Sequence, residues 1–271
     1  MHFPITIMSD YAAKILDSNV SGSVHSIYRK TVNLQFGSCL LSLQTTGSPL
    51  SPVSLITPLN QADMEALKFE AGQPVVAEQN SIVLSGPESS YSFSFADTRI
   101  ITLELRHPFP QVQKALIAEA LRRSRIRGFG NQELILSAAR LRTANCAQYF
   151  RQGSYKMAAQ ELALLLGLGI GLTPSGDDFL CGVLAGLNFT GNHWHPFSRA
   201  LQSTLRAHLS DTNDISRTFL SCALHSYFSY AVITLPQAAS PEEILTAFEA
   251  IGHSSGIDTL CGIYYGISLF S

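Results

Sequence analysis

Hydrophobic and polar positions alternate through residues 22–106, in segments such as SIVLSG and YSFSFAD. Alternation of this kind places the apolar side chains on one face of a strand. The segments are short and are separated by clusters of Gly, Pro and Ser, which favours an antiparallel β barrel or sandwich. We also expect a short helix at residues 10–16 and another, inserted between strands, at residues 61–68.

From residue 110 onward the apolar positions recur every three or four residues, in stretches such as QVQKALIAEALRR and PEEILTAFEAIG. This period is typical of amphipathic helices. Two prolines, Pro108 and Pro110, mark the change of pattern. The sequence therefore predicts an α+β protein with a β-rich domain over residues 1–108 and an all-α domain over residues 109–271.

The composition points to partners of particular kinds. Charged residues make up 14% of the 271 residues and hydrophobic residues 46%, whereas soluble domains average about 25% charged residues. A surface with so few charges favours buried contacts with other enzyme subunits or within a homo-oligomer. The net charge is -2, and the one basic cluster is too small for duplex binding, so we expect no nucleic acid. That cluster comprises Arg122, Arg123, Arg125 and Arg127.

The five cysteines are scattered and form no C-x-x-C pair, so neither a disulfide framework nor a zinc site is indicated. The N-terminal segment MHFPITIMSDYAAK does not have the pattern of a signal peptide. The longest apolar stretch, near residues 162–172, is interrupted by glycines and is too short to span a bilayer. We therefore expect a cytoplasmic protein with no membrane partner.

The chain contains one clear internal match. SGDDFLCGVLAG at residues 175–186 and SGIDTLCGIYYG at residues 255–266 are identical at seven of twelve positions. Each copy opens with Ser-Gly-x-Asp, continues as an apolar run, and places two glycines four residues apart. Glycine inside a helix costs about 1 kcal/mol relative to alanine, so glycines on one face imply close backbone approach by another element. We predict an internally repeated helix whose two copies pack face to face with their N-termini at one cleft.

The Ser-x-x-Asp pattern is also a helix capping box, which by itself accounts for the serine and the last aspartate of each copy. It does not account for the extra Asp177, for the glycines at residues 167, 169 and 171, or for His253. A glycine-rich approach to a helix N-terminus is suited to binding a phosphate or carboxylate. Alternatively, Asp177 and Asp178 could hold Mg²⁺ through water. His253 could serve as a general acid or base.

Two strings carry a resemblance to a known family. GIGLTPSGDDFLCG at residues 169–182 and GHSSGIDTLCG at residues 252–262 resemble the signature segments of the family that includes a subunit of oxamate carbamoyltransferase, the enzyme of anaerobic allantoin breakdown. The resemblance implies a subunit of a carbamoyltransferase-type enzyme. Such an enzyme moves a carbamoyl group between carbamoyl phosphate and oxamate, giving oxalurate and phosphate, or runs the reverse reaction. A related small anionic acid could replace oxamate.

Both substrates of that reaction are small anions, and the transfer requires charge stabilisation and proton removal. On this hypothesis Asp177, Asp178, Asp258 or His253 handles protons or a metal. The anions are bound by two groups of residues at the helix starts. The first group is Gly171, Thr173, Ser175 and Gly176, and the second is Ser255, Gly256 and Thr259.

Two other classes of function remain open. The low surface charge would also suit a noncatalytic ligand-binding or scaffold subunit of a multi-subunit enzyme. The aspartates would also suit a metal-dependent hydrolase.

Overall fold

A computed structural model describes residues 1–17, 20–86, 90–106, 108, 114–130, 132–252 and 254–270. The chain divides into two compact units, Met1–Glu104 and Leu105–Ser271. Within the described residues the first unit carries the strands and two short helices, and the second unit is helical. The prediction of a mixed α+β protein is confirmed.

The first unit contains one ten-stranded sheet among its described residues. Two helices, α1 (Asp10–Leu16) and α2 (Gln61–Ala66), interrupt the strands. The strands are β1 (His2–Pro4), β2 (Ile7–Ser9), β3 (Val20–Tyr28), β4 (Thr31–Phe36), β5 (Cys39–Gln44), β6 (Ser54–Ile56), β7 (Pro74–Glu78), β8 (Ser81–Ser85), β9 (Ser90–Ser94) and β10 (Arg99–Ile101).

The sheet curls into a half-barrel because two consecutive strands occupy distant places in it. The strand order is β1-β9-β8-β7-β3-β4-β5-β6-β2-β10, so β1 and β2 lie near opposite edges although only Ile5 and Thr6 separate them in sequence. The Ile5 N–H donates to Ser94 O at 2.7 Å, and the Thr6 N–H donates to Ile56 O at 2.7 Å. These two residues therefore join the two edges of the sheet.

The expectation of a wholly antiparallel sheet is wrong in part. Three strand pairs among the described residues are parallel, namely β1 with β9, β2 with β10, and β5 with β6. Alternation of apolar residues reports which face of a strand is buried and not the direction of its neighbour. The buried face itself follows the pattern, since Val32 and Leu34 on β4 and Leu41 and Leu43 on β5 are fully buried.

The second unit consists of helices and short 3₁₀ turns in its described part. The helices are α3 (Lys114–Arg123), α4 (Glu133–Arg151), α5 (Tyr155–Ala163), α6 (Ser175–Phe189), α7 (Pro196–Ala207), α8 (Asp214–Leu224), α9 (Tyr230–Thr234), α10 (Pro241–Glu249) and α11 (Ser255–Ser268). Side-chain caps fix some of these starts, as at α10, where the Ser240 hydroxyl accepts the Glu243 N–H. None of the described helices combines the length and the apolar character needed to cross a bilayer.

Helices α6 and α11 pack directly against each other through their glycines. A Cβ added at Gly182 would lie 2.0 Å from Thr259 O, and one added at Gly262 would lie 2.0 Å from Phe179 O. One turn further along, Gly186 and Gly266 face each other in the same way. The predicted face-to-face packing of the two helices is confirmed. It is possible because the four glycines carry no side chain.

Candidate functional site

The starts of α6 and α11 meet at Thr173, which precedes α6. Its Oγ1 donates to Asp178 Oδ2 at 2.9 Å and lies 2.9 Å from the Oγ of Ser255, the first residue of α11. Thr173, Asp178 and Ser255 are all half-buried, so solvent reaches this cluster. The structure therefore brings residues of both repeated segments together in one half-buried cluster, which we call the paired-start site.

Asp258 lies behind this cluster and is fully buried. Its Oδ1 accepts the backbone N–H of Phe129, while its Oδ2 has no hydrogen-bond partner among the described residues. Burial raises the pKa of Asp258 from 3.8 to about 6, although the Phe129 N–H and the hydroxyls of Ser175 and Ser254 lower it. Asp258 therefore changes charge close to neutral pH.

Asp178 has a raised pKa for related reasons. Burial raises the pKa of Asp178 well above its ordinary value, and the charges of Asp258 and Asp177 raise it further. The neighbouring hydroxyls of Ser255 and Thr173 lower the pKa of Asp178. Each aspartate thus faces the first serine of the other helix, Asp178 with Ser255 and Asp258 with Ser175.

The neighbouring Asp177 has different partners. It is 1% exposed, its Oδ1 accepts the Gly167 N–H at 2.7 Å, and its Oδ2 accepts the Thr212 hydroxyl. Both carboxylate oxygens are therefore committed to two backbone segments outside α6. Asp177 fixes the glycine-rich loop at residues 164–174 to the segment that precedes α8.

Two of the predicted anion-binding glycines are packed against backbone. A Cβ on Gly176 would lie 1.9 Å from Leu165 O, and one on Gly256 would lie 1.8 Å from Phe248 O. The Gly176 N–H is also used, since it donates to Leu168 O at 2.8 Å. These glycines let each helix begin beneath the end of the preceding segment, and their role in ligand binding stays a prediction.

The remaining predicted ligand-binding residues differ in how open they are. Ser175 is 7% exposed, and Thr259 uses its hydroxyl to donate to Ser255 O at 2.9 Å. Gly171 is exposed and has φ +114°, a conformation that favours glycine. Gly171, Thr173 and Ser255 are therefore the predicted residues best placed to meet a ligand.

His253 lies outside the described residues, so its predicted acid–base role is not placed by the structure. A Mg²⁺ site at Asp177 and Asp178 also stays a prediction. Among the residues that the structure describes, no group of three or more His, Cys, Asp or Glu side chains is arranged to hold a metal ion.

Phe129 and Thr212 bond to Asp258 and Asp177, although no motif in the sequence marks either residue. Phe129 acts through its backbone N–H, and the glycines on either side of it mark only a turn. Thr212 belongs to no motif. A backbone donor can come from almost any residue type, so sequence patterns could not have identified Phe129.

Family models match most of the chain. The model for oxamate carbamoyltransferase subunit AllH matches residues 165–267, and the model for the AllH family N-terminal domain matches residues 4–100. The chain belongs to the AllH family. The resemblance inferred from the two signature segments is confirmed, and both helix starts of the paired-start site lie within the AllH match. No solved structure matches the chain.

Proposed function

We propose that this chain is a subunit of a carbamoyltransferase that binds its substrates at the paired-start site. The reaction moves a carbamoyl group between carbamoyl phosphate and oxamate, with oxalurate as the carbamoylated product, or uses a related small acid. The observation that carries the proposal is the Thr173 hydroxyl, which joins Asp178 of one helix start to Ser255 of the other in a half-buried cluster.

The chemistry of this site suits small anions that also carry N–H groups. Gly171, Thr173 and Ser255 offer hydroxyl and backbone groups at two helix N-termini, where the helix dipole favours negative charge. Three ionised aspartates would repel such a ligand. Because burial raises the pKa of Asp258 to about 6, protonation of Asp258 reduces that repulsion as the pH falls toward 6.

Other subunits are expected, since the family is named for a subunit of an enzyme. Ile170 and Leu172 lie in the glycine-rich loop just before Thr173 and are 72% and 53% exposed. A partner subunit that covers these side chains would remove apolar surface from water and exclude water from the paired-start site. The five scattered cysteines form no C-x-x-C pair in the sequence, which suits a reducing, cytoplasmic compartment.

The proposal is tested in the enzyme reconstituted with its other subunits, by following phosphorolysis of oxalurate to carbamoyl phosphate and oxamate. Asp178→Asn and Ser255→Ala should each lower the turnover rate by about 100-fold or more, because each removes a group from the paired-start site. Thr190→Val is a matched control, since the Thr190 hydroxyl bonds to Gly186 O at the far end of α6. The control should keep the wild-type rate.

The exposed Ile170 and Leu172 would also suit a noncatalytic subunit whose role is to stabilise the complex. The same experiment separates the two functions. If the assembled complex with Asp178→Asn keeps full turnover, the chemistry takes place elsewhere and this chain is a structural or ligand-binding subunit.

A further inference from the structure

The hydroxyls of Thr173 and Ser255 form a directed chain. An ionised carboxylate oxygen can only accept hydrogen bonds, so Thr173 Oγ1 donates its proton to Asp178 Oδ2. Ser255 Oγ lies 2.9 Å from Thr173 Oγ1. Because the Thr173 proton is already donated to Asp178, Ser255 is the donor in this second hydrogen bond and Thr173 Oγ1 is the acceptor. The chain runs from half-buried Ser255 through Thr173 to Asp178, and Ser255 Oγ keeps lone pairs that can accept an N–H from a ligand.

A second and independent observation points to an N–H or a proton at this place. Asp258 is fully buried between the two helix starts, and its Oδ2 has no donor among the described residues. A buried carboxyl oxygen without a partner must either carry a proton or meet a donor from a ligand. Asp258 Oδ2 is therefore a buried acceptor next to the first residues of α6 and α11.

The charged groups around Asp178 all favour its acting as a proton acceptor. The titratable groups that bear on it are Asp177 on its own helix and Asp258 on α11, both of which raise its pKa, and the Cys181 thiol one turn along α6. Within the described ranges, none of these three aspartates forms an ion pair with Lys, Arg or His. Asp178 is consequently more basic than an exposed aspartate.

We propose that Ser255, Thr173 and Asp178 form a proton-transfer chain that takes the proton from the attacking nitrogen of the acceptor amide. This inference rests on the proposed function and gives Ser255 and Thr173 a role other than anion binding. Ser255 is the group that touches the substrate, Thr173 relays, and Asp178 accepts.

The step balances in atoms and charge. The oxamate nitrogen forms a bond to the carbonyl carbon of carbamoyl phosphate, and the carbon–oxygen bond to phosphate breaks with its electron pair leaving on phosphate. The nitrogen gives its proton to Ser255 Oγ, Ser255 gives its own to Thr173 Oγ1, and Thr173 gives its own to Asp178 Oδ2. In phosphorolysis of oxalurate the same chain runs backward, and protonated Asp178 supplies the proton to the departing nitrogen.

The first test is Thr173→Val in the reconstituted enzyme, because valine keeps the shape of threonine and removes the relay. We expect kcat to fall by about 10²- to 10⁴-fold, the usual contribution of general acid–base catalysis, with the KM for oxalurate changed less than about twofold. Thr173→Ser should recover at least about tenfold of the lost rate, since it restores a hydroxyl. A loss confined to KM, or an unchanged kcat, would overturn the relay.

The second test does not depend on activity. In the full chain, ¹³C NMR titration of the Asp178 carboxyl should show a higher pKa in Thr173→Val and in Ser255→Ala, because each change weakens hydrogen bonding to the ionised form. Thr190→Val should leave that pKa unchanged. Absence of a shift in both variants would show that the chain of hydrogen bonds does not exist, and the proposal would fail.

The two tests separate the relay from the proposed function. If the wild-type complex transfers no carbamoyl group but both NMR shifts are present, the proposed function fails and the proton-transfer role falls with it, while the hydrogen-bonded chain stands. If the complex is active and the Thr173→Val enzyme keeps its kcat, only the relay is wrong.

Discussion

Gly182 lies so close to the backbone of Thr259 that an added Cβ would stand 2.0 Å from the Thr259 carbonyl oxygen. Gly262 has the same relationship to Phe179, again at 2.0 Å, whereas Gly186 and Gly266 leave 2.7 and 2.8 Å to the nearest backbone oxygen. Side-chain atoms cannot approach a backbone oxygen to 2 Å, so the spacing of α6 and α11 is set by these four residues.

A ranking of alanine substitutions follows from those distances. Overpacking a core typically costs about 1 to 3 kcal/mol. We expect Gly182→Ala and Gly262→Ala to lower the free energy of unfolding by at least the upper value, and Gly186→Ala and Gly266→Ala to lower it less. Chemical denaturation of the four variants measures the order. Equal and small effects at all four positions would show that the helices are further apart.

The stability of the chain should depend on the charge of Asp258. Its pKa is about 6 in the folded state, and we take the ordinary aspartate value of 3.8 for the unfolded state. Between these two pH values the folded state therefore binds more protons than the unfolded state. The free energy of unfolding therefore falls as the pH rises through this range, by about 3 kcal/mol for this group.

Asp258→Asn removes this dependence. Its amide oxygen can still accept the Phe129 N–H, and its amide nitrogen can donate to Ser175 or Ser254. We expect this variant to show a flatter stability profile between pH 4 and pH 6 and to be more stable than the wild type at pH 8. Denaturant unfolding at several pH values measures both effects. A variant less stable than the wild type at pH 8 would mean that Asp258 is well satisfied in its ionised form.

The adjacent aspartates Asp177 and Asp178 should respond differently to the same substitution. Asp177→Asn replaces an acceptor by an amide group that cannot accept from both Gly167 and Thr212, so we expect a loss of about 1 to 3 kcal/mol in the free energy of unfolding. Asp178→Asn should change stability much less, because the residue is half-buried and its amide oxygen can still accept the Thr173 hydroxyl. Thermal or denaturant unfolding of the pair makes the comparison, and the reverse order would contradict it.

Assembly with other subunits should depend on the glycine-rich loop. Ile170→Asp and Leu172→Asp place charges on exposed side chains, so we expect folding to be unaffected and the affinity for the other subunits to fall. Leu134→Asp is a control on α4, since Leu134 is 84% exposed. Sedimentation of the mixed subunits measures the affinities. Equal binding by all three variants would exclude the loop from the interface.

The sequence predicted the parts of this fold that depend on side-chain size and periodicity. The glycines of α6 and α11 predicted their contact because close packing excludes every larger residue. The partners of Asp177 could not be predicted in this way. Two adjacent aspartates at a helix start look alike in sequence, so the sequence does not indicate which segment each carboxylate contacts. The contribution of Phe129 is a backbone contact from a residue 129 positions away from Asp258 along the chain, which leaves no pattern in residue types.

The link formed by Ile5 and Thr6 has a consequence for the order in which the first unit can form. His2 pairs with Ser92, and Ile7 pairs with Arg99, so each contact of the N-terminal strands closes a long loop. Closing such loops is entropically unfavourable until the intervening strands have paired. Strand β1, and the edge of β2 that pairs with β10, must therefore wait until about one hundred residues of this unit have left the ribosome before they can pair. Truncating them should leave the hairpins β3–β4–β5 and β7–β8–β9 able to form while preventing the sheet from curling closed.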